Sequence, residues 1–583
     1  MEYPTRRRVL AAGGAAAFAA SAGRSSVADP VPPHADATVL RLARRRIGFS
    51  RTIAILKREI PIKMMERDVP GLAVGLVQGG NLVWAEGFGS TGRATHNAVT
   101  PDTLFSLQSM SKGYTAVGVM RAVERGWLKL DDRLIDHMPD FRVESRFGSQ
   151  EYKKITFRHL LSHFAGLCHE APVGNNYDDR PCSFAEHVAS ISGTWLKHPV
   201  GDRYAYSNLG IDLAGFVLEQ HSGTAFERYM QDSVLDPIGM RASTFDQDKA
   251  NAGTNVARGN IGVFEVPPQN IPMRAAGGLY SNVRDMAQFV SFQLARGLSN
   301  AQRILSSDSV DEMQRPQFPI PGQIGGYGLG LISIASRGAY AILHGGGGYG
   351  FNSDHRWIPD YGIGVVVACN QESGSPAPVI SSFALRLMIG ELLEAIPVTT
   401  ALSPILEPTV AQDPAELRKL AGTYQRRSSL AKIAEKDGWL VLDDGSYLDA
   451  HGDDTFSNAS MRYRFERDPS GAVERMHVVG SNFSENASEY WPLNDTPTDT
   501  AGPNRGRWAS LVGKYLGRET SKPMTVEVLM KNGYLYLDGA DTPWQGGIKL
   551  SEHTLGLFFT SDGEAVKFDQ GRISLGNRPF FKA

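Results

Sequence analysis

A chain of 583 residues is longer than one core can organise, because single cores stop growing near ~250–300 residues, so two to four folding units are expected. With 42% hydrophobic, 21% charged and 9% aromatic residues it is neither disordered, low-complexity nor collagen-like. Sixty basic against 62 acidic side chains give a net charge of −2 and no footprint for nucleic acid, and three cysteines exclude a disulfide scaffold or multi-cysteine zinc module.

The first element is an address. Thr5-Arg6-Arg7-Arg8-Val9-Leu10 precedes an Ala- and Gly-rich run ending near Ala22, too short for the ~20 residues of a membrane helix. Paired arginines before such a run resemble the twin-arginine signal, so residues 1–28 are expected to be a removable signal peptide read by the twin-arginine export machinery. Cleavage after Ala28 removes Arg6, Arg7, Arg8 and Arg24 against Glu2 alone and leaves a more acidic mature chain, expected to be periplasmic or secreted. No later segment has the length and apolarity of a membrane span.

After a connector at Pro30 to Pro33, residues 36–67 carry apolar positions at helical spacing. Gly71–Gln78 and Leu82–Phe88 then predict two strands around Gly79-Gly80-Asn81. Helical patterns dominate the middle, at Ser111–Glu124, Leu209–His221 and Val283–Leu298. Strands return at Ala339–His344, Phe351–Pro359 and Gly362–Asn370, ahead of a helix at about 378–395. Strands at both ends of a helical middle imply one sheet assembled from distant segments, and hence a unit over 36–395.

Pro397, Pro404, Pro408 and Pro414 mark a linker over 396–414. Beyond it, short strand-like runs between Gly, Asp and Asn turns predict small antiparallel barrels over 415–500 and 505–583. The two copies echo each other at an offset of about 90 residues: Leu417–Tyr424 resembles Trp508–Tyr515, and Gly438–Asp443 resembles Gly533–Asp538.

Ser109-Met-Ser-Lys112 sets a hydroxyl and an amine three residues apart at a predicted helix start, on one face of the helix. A lysine there accepts the serine proton only when neutral. The pattern recurs as Ser429-Leu-Ala-Lys432 in the strand-rich tail, where no partners accompany it. A Tyr-x-Asn partner occurs twice, as Tyr206-Ser-Asn208 and Tyr280-Ser-Asn282. His344-Gly-Gly346 closes a strand-like run, where an edge strand lays its backbone beside a substrate and glycine permits close approach.

In this order, Ser-x-x-Lys, Tyr-Ser-Asn and His-x-Gly, the chain resembles serine hydrolases related to class C β-lactamases and penicillin-binding proteins. Ile155–His163 with Gly166-Leu167, Asp236–Met240, Gly277–Tyr280 with Asp285, and Tyr327–Gly330 also look like family segments. The resemblance implies an α/β fold of the β-lactamase/transpeptidase type: an antiparallel sheet flanked by helices, a mainly helical subdomain, and here two lipocalin-like barrels. It selects Tyr206 over Tyr280, because the family tyrosine precedes Ser-Asn-x-Gly. It further implies Ser109 as nucleophile, Lys112 and Tyr206 as general base and acid, and Asn208 positioning Lys112 or the substrate amide. The backbone N–H groups of Ser109 and Gly347 form the implied oxyanion hole, with His344 and Gly346 supporting the substrate. Many relatives carry lysine where His344 stands; a largely neutral histidine grips a substrate carboxylate less, which disfavours β-lactam turnover. The two-barrel tail resembles that of bacterial D-aminopeptidase. The expected substrate is therefore a peptide with D-residues or another unusual linear peptide, with esters, D-Ala-D-Ala carboxypeptidase action and an inert penicillin-binding sensor as rivals. No cofactor or metal is called for, and a homodimer is compatible with the resemblance.

Gly345-Gly-Gly347-Gly-Tyr-Gly350 fits a dinucleotide fingerprint, but a strand-like segment follows it where a helix is needed. His344–Gly347 also matches a lipase oxyanion loop, yet the chain has no Gly-x-Ser-x-Gly elbow. His159 and His163 are read as packing residues rather than zinc ligands, and a Cys168–Cys182 bridge is left open.

Overall fold

The computed structural model describes residues 47–583, apart from 95–96, 177–180, 319–324, 337–338, 373, 375, 393–411, 427–428, 437, 443–446, 453, 458–460, 481–487, 493–505, 520–521, 532–533, 540–547, 561–562 and 570. The expected signal at 1–28 and most of the expected linker lie outside the described residues.

Seven strands form the central sheet: β1 (Gly71–Gln78), β2 (Asn81–Gly89), β3 (Gly325–Tyr327), β4 (Ile332–Ser336), β5 (Ala339–Gly348), β6 (Phe351–Ile358) and β7 (Ile363–Cys369). Their order is β2-β1-β7-β6-β5-β4-β3, antiparallel throughout. The sheet therefore closes by pairing β1 with β7, nearly 300 residues later, as in Val74↔Val367. Both strands are apolar runs because both of their faces are covered. Leu72, Val74, Leu76, Val365 and Val367 pack with helices α1 (Ser50–Glu66) and α6 (Pro376–Leu392). Ala73, Val77, Val366 and Ala368 belong to the opposite core, which also holds α2 (Ser111–Glu124), α4 (Asn208–Ser222) and α5 (Val283–Leu294), with the short α3 (Phe157–Ser162). Glu391 of α6 accepts from the Thr52 amide and hydroxyl, both at 2.8 Å, so an acidic side chain satisfies the first turn of α1.

The helix expected within 36–67 starts, among the described residues, only at Ser50, after the left-handed Phe49 (φ 50°), and two further boundaries differ from the sequence expectation for local reasons. Helix α5 stops at Leu294, because Arg296 and Gly297 turn left-handed (φ 49° and 90°) and Gly297 presses on the Leu305 carbonyl, where a Cβ would lie 2.2 Å away. Strand β5 runs past His344 to Gly348, because its glycines pair with Phe351–Asp354.

The tail holds two closed eight-stranded antiparallel barrels, between Gly422 and Pro492 and between Gly513 and Lys582. The segments that repeat in the sequence make the same bond in each: Tyr424 donates to the Leu420 carbonyl (2.6 Å) and Tyr515 to the Leu511 carbonyl (2.8 Å). Each tyrosine thereby ties a preceding helical turn to its barrel wall. Ser429 and Lys432 lie on a barrel strand.

His355 on β6 is buried between apolar rings, stacked on Phe289 (5.4 Å) and edge-on to Trp357 (5.2 Å), with neither ring nitrogen partnered. Burial, then the Arg356 cation, pushes its pKa down to about 3. The unfolded chain protonates this ring near pH ~6.5. Between that value and about 3 the unfolded state holds the extra proton, so stability present at neutral pH is lost as pH falls. His355→Leu should flatten the acid dependence of urea-unfolding free energy between pH 6.5 and 4 by up to ~1.4 kcal/mol per pH unit. Parallel profiles for the two proteins would contradict this assignment.

Candidate active site

The chain enters the site through Phe105-Ser106, which pairs with Tyr280-Ser281, and turns sharply at Gln108, a non-glycine residue in the left-handed region (φ 53°). Ser109 sits on the following 3-10 turn, Gln108–Met110, which runs directly into α2. Bonds on both sides hold the turn. Ser111 Oγ donates to the Gln108 carbonyl (2.6 Å) and accepts from the Leu279 amide (3.0 Å), while Ser353 Oγ donates to the Leu107 carbonyl (2.8 Å). Such local strain persists only where the surroundings over-determine it, and here they do.

One turn into α2, the buried Lys112 places Nζ 3.0 Å from Ser109 Oγ and 3.0 Å from the Ala276 carbonyl oxygen. The Ala275–Ala276 turn is itself fixed by Asp212 on α4, whose Oδ1 accepts from both amides (2.9 and 3.0 Å) and whose Oδ2 meets His187 Nε2 at 3.2 Å. Burial opposes charge on His187, but Asp212, the Val173 carbonyl and Glu170 together raise the imidazole above its ordinary value.

The Tyr206 ring lies over the lysine, its centroid 4.9 Å from Nζ, between the rings of His163 (4.3 Å) and His169 (5.6 Å, stacked). His163 is not on the face of a helix with His159. It follows the end of α3 in the left-handed region (φ 65°) and accepts from the Ser207 amide at Nδ1 (3.2 Å), whereas His159 bonds Thr156 at its own helix start. Burial, then Lys112, holds His163 well below the usual imidazole range. Asn208 opens α4, and its Nδ2 donates to Glu170 Oε1 (2.9 Å) and contacts Met273 Sδ (3.4 Å). The side-chain amide is thus anchored on Glu170. Glu170 is wholly buried, and its Oε1 also takes Asn176 Nδ2 (2.8 Å) and His169 Nδ1 (2.8 Å).

Strand β5 forms the opposite wall. Strand β4 pairs with it only as far as Leu343, so the stretch from His344 to Gly348 keeps one edge unpaired by β4. Gly346 lies against the Ser109 turn so closely that a Cβ would sit 2.0 Å from the Leu107 carbonyl oxygen, while Gly347 is exposed. The His344 ring is 3% exposed. Tyr327 donates to its Nε2 (2.6 Å) and its Nδ1 donates to the Gly345 carbonyl (2.6 Å), which fixes the neutral tautomer. Burial and then the Lys112 charge push its pKa down to about 3. His344 therefore offers a substrate backbone groups rather than a cation.

Ser109, Lys112, Tyr206, Asn208 and the His344–Gly347 strand thus meet in one place. Tyr280-Ser-Asn282 serves the scaffold: Tyr280 is buried, and Asn282 caps α5 by accepting from the Asp285 amide (2.9 Å). No disulfide joins Cys168, Cys182 or Cys369 among the described residues. Sequence reasoning missed Glu170, His169, the active-site placement of His163, and Tyr327. His163 and Tyr327 lie in segments already marked by the resemblance, but no pattern ties them to Ser109; Glu170 and His169 carry no motif at all.

The arrangement can pass a proton from a serine hydroxyl to an adjacent amine, the opening move of acyl-transfer chemistry. Known proteins agree. The family model described as Beta-lactamase matches residues 56–385, more than half of the chain. The unguisins hydrolase of Aspergillus campestris is 29% identical over 323 residues, 52% of this chain and only 58% of that protein. Penicillin-binding protein 4 of Amycolatopsis lactamdurans is 27% identical over 377 residues, 62% of this chain and 94% of that protein. The octameric penicillin-binding protein homologue from Pyrococcus abyssi shares the fold, with TM-score 0.52, 21% identity, and coverage of 91% of this chain and 100% of that one.

Removing the Asp212 carboxylate strands two buried amides and a buried imidazole. Asp212→Ala should cost about 3–5 kcal/mol in denaturant unfolding, and Asp212→Asn, which keeps an acceptor, clearly less. Equal losses in the two variants would show that the carboxylate is not what holds the Ala275–Ala276 turn.

Proposed function

Because the chain belongs to the β-lactamase-fold serine hydrolases, we propose that it cleaves amide bonds of peptides, with D-residue or other unusual linear peptides as its substrates, through an acyl-enzyme on Ser109. The observation that carries this reading is Lys112 Nζ at 3.0 Å from Ser109 Oγ with Tyr206 over the same nitrogen. Ser109 Oγ adds to the substrate carbonyl carbon as its proton passes to Lys112 or Tyr206. The C–N bond then breaks, the departing amine takes that proton, and an ester to Ser109 remains. Water, deprotonated by the same pair, hydrolyses the ester and frees the serine. The N–H groups of Ser109, at the start of α2, and of Gly347 hold the oxyanion.

Two features favour peptides over β-lactams. The edge of His344–Gly348 left unpaired by β4 suits an extended peptide, which binds by strand addition. The neutral, buried His344 supplies no fixed cation for a β-lactam carboxylate. The relative named as an unguisins hydrolase supports hydrolysis, and penicillin-binding protein 4 is compatible with acylation at Ser109. Simple esters remain the second reading, since the same geometry acylates with them. Export through residues 1–28 is part of the proposal and is checked by the amino terminus of protein recovered from the periplasm.

A serine-directed fluorophosphonate should label the protein at Ser109 and leave Ser109→Ala unlabelled, while Lys112→Ala should slow labelling by ~10²–10⁴-fold. Against D-Ala-p-nitroanilide, a D-Ala-D-Ala peptide, nitrocefin and a short p-nitrophenyl ester, the protein should cleave the anilide or peptide and turn over nitrocefin poorly. Labelling that survives Ser109→Ala would overturn the site, and ester turnover with no amide cleavage would overturn the peptidase reading.

A further inference from the structure

The second barrel is seated on the catalytic unit beside the Tyr206 motif. Its hairpin joining Arg572–Leu575 to Arg578–Lys582 turns through Gly576 and Asn577, both left-handed (φ 52° and 73°). The turn points the Asn577 side chain into the catalytic unit, where Nδ2 donates to the Glu170 main-chain oxygen (2.9 Å) and lies 3.6 Å from Cys168 Sγ. A second anchor is the ion pair Lys197 Nζ–Glu564 Oε2 (3.0 Å), with side chains only 6% and 10% exposed. Beside it, Gly563 (φ 88°) lies so close to the Lys197 carbonyl oxygen that a Cβ would be 2.3 Å away. Trp195 completes the seat, edge-on to His553 (5.6 Å) and Phe559 (5.4 Å).

What the barrel grips is the segment that holds the catalytic motif. The Cys168 carbonyl accepts from Ser207 Oγ (2.6 Å), and the His169 carbonyl from the Asn208 amide (3.2 Å). The Glu170 carboxylate holds the Asn208 side chain, and the His169 ring stacks on Tyr206. From Asn577 to Tyr206 the connection is one residue segment deep, although the two are hundreds of positions apart in the chain.

We propose that Asn577 is a positioning residue for hydrolysis: through residues 168–170 the second barrel sets the placement of Tyr206 and Asn208 against Ser109 and Lys112. The proposal rests on the hydrolytic reading of Ser109, Lys112 and Tyr206. It assigns the tail a part in turnover that a mere appendage lacks, because small displacements of a proton-transfer group cost rate steeply.

The test uses the full chain and Asn577→Gly, which keeps the left-handed turn and removes the donor. The measurements are kcat and KM for a p-nitrophenyl ester, the rate of fluorophosphonate labelling, the thermal midpoint, and alkylation of Cys168 by iodoacetamide, mapped by peptide mass. The variant should keep its thermal midpoint within about 3 °C and its KM within about two-fold, lose ~5–10-fold in kcat and labelling rate, and expose Cys168 to alkylation. A kcat equal to the parent's, with or without a lower thermal midpoint, marks a purely structural seat and overturns the proposal. If Asn577→Gly is not recovered folded, Glu564→Gln carries the same test, and unchanged kcat there overturns it equally. Absence of Ser109-dependent labelling in the parent is a separate result, which overturns the hydrolytic reading itself.

Discussion

The structure depends on holding one buried amine in place. Lys112 Nζ lies where Ser109 Oγ, the Ala276 carbonyl and the Tyr206 ring converge, and it reaches that point because α2 starts immediately after the strained Gln108 turn. A buried amine is costly unless its surroundings are polar and fixed. The Ala275–Ala276 turn supplies that fixed partner, and Asp212 with His187 supplies the turn's own support. Two buried imidazoles, His163 and His344, feel the amine, and burial together with Lys112 holds both below the ordinary imidazole range.

The sheet has to approach the Ser109 turn closely for its edge to serve as a wall. Gly346 makes that approach possible, since any side chain would strike the Leu107 carbonyl that Ser353 also binds. Closure of the sheet by β1 and β7 brings the amino-terminal and late segments of the unit together and covers both faces of those strands with helices. The long catalytic unit is therefore built on one main sheet between two cores, and the second barrel is seated on it.

Much of this was legible in the sequence. Apolar runs at Gly71–Gln78 and Ile363–Cys369 announce strands buried on both faces, and Ser109 and Lys112 share a helix face by spacing alone. The duplicated Leu-x-Gly-x-Tyr segments of the tail foretell the same tyrosine bond in each barrel. Other features were illegible because they arise from tertiary approach. Glu170 reaches Asn208 across 38 positions, Tyr327 meets His344 Nε2 across 17, and Asn577 meets the Glu170 main-chain oxygen from the second barrel. His163 reaches the site because it takes the left-handed conformation just past the end of α3. Resemblance identified the tyrosine that residue patterns left undecided, and Asn282 shows why: as a helix cap it leaves the same local signature as a catalytic asparagine.

The most direct test of the central claim is rapid acid quench of the protein with excess p-nitrophenyl ester, followed by peptide mass mapping. Acyl transfer to a lysine-activated serine predicts a pre-steady-state burst of p-nitrophenol and one added acyl group on the peptide carrying Ser109, with both lost in Lys112→Ala. Steady turnover with no adduct, or an adduct on any other serine, would contradict it.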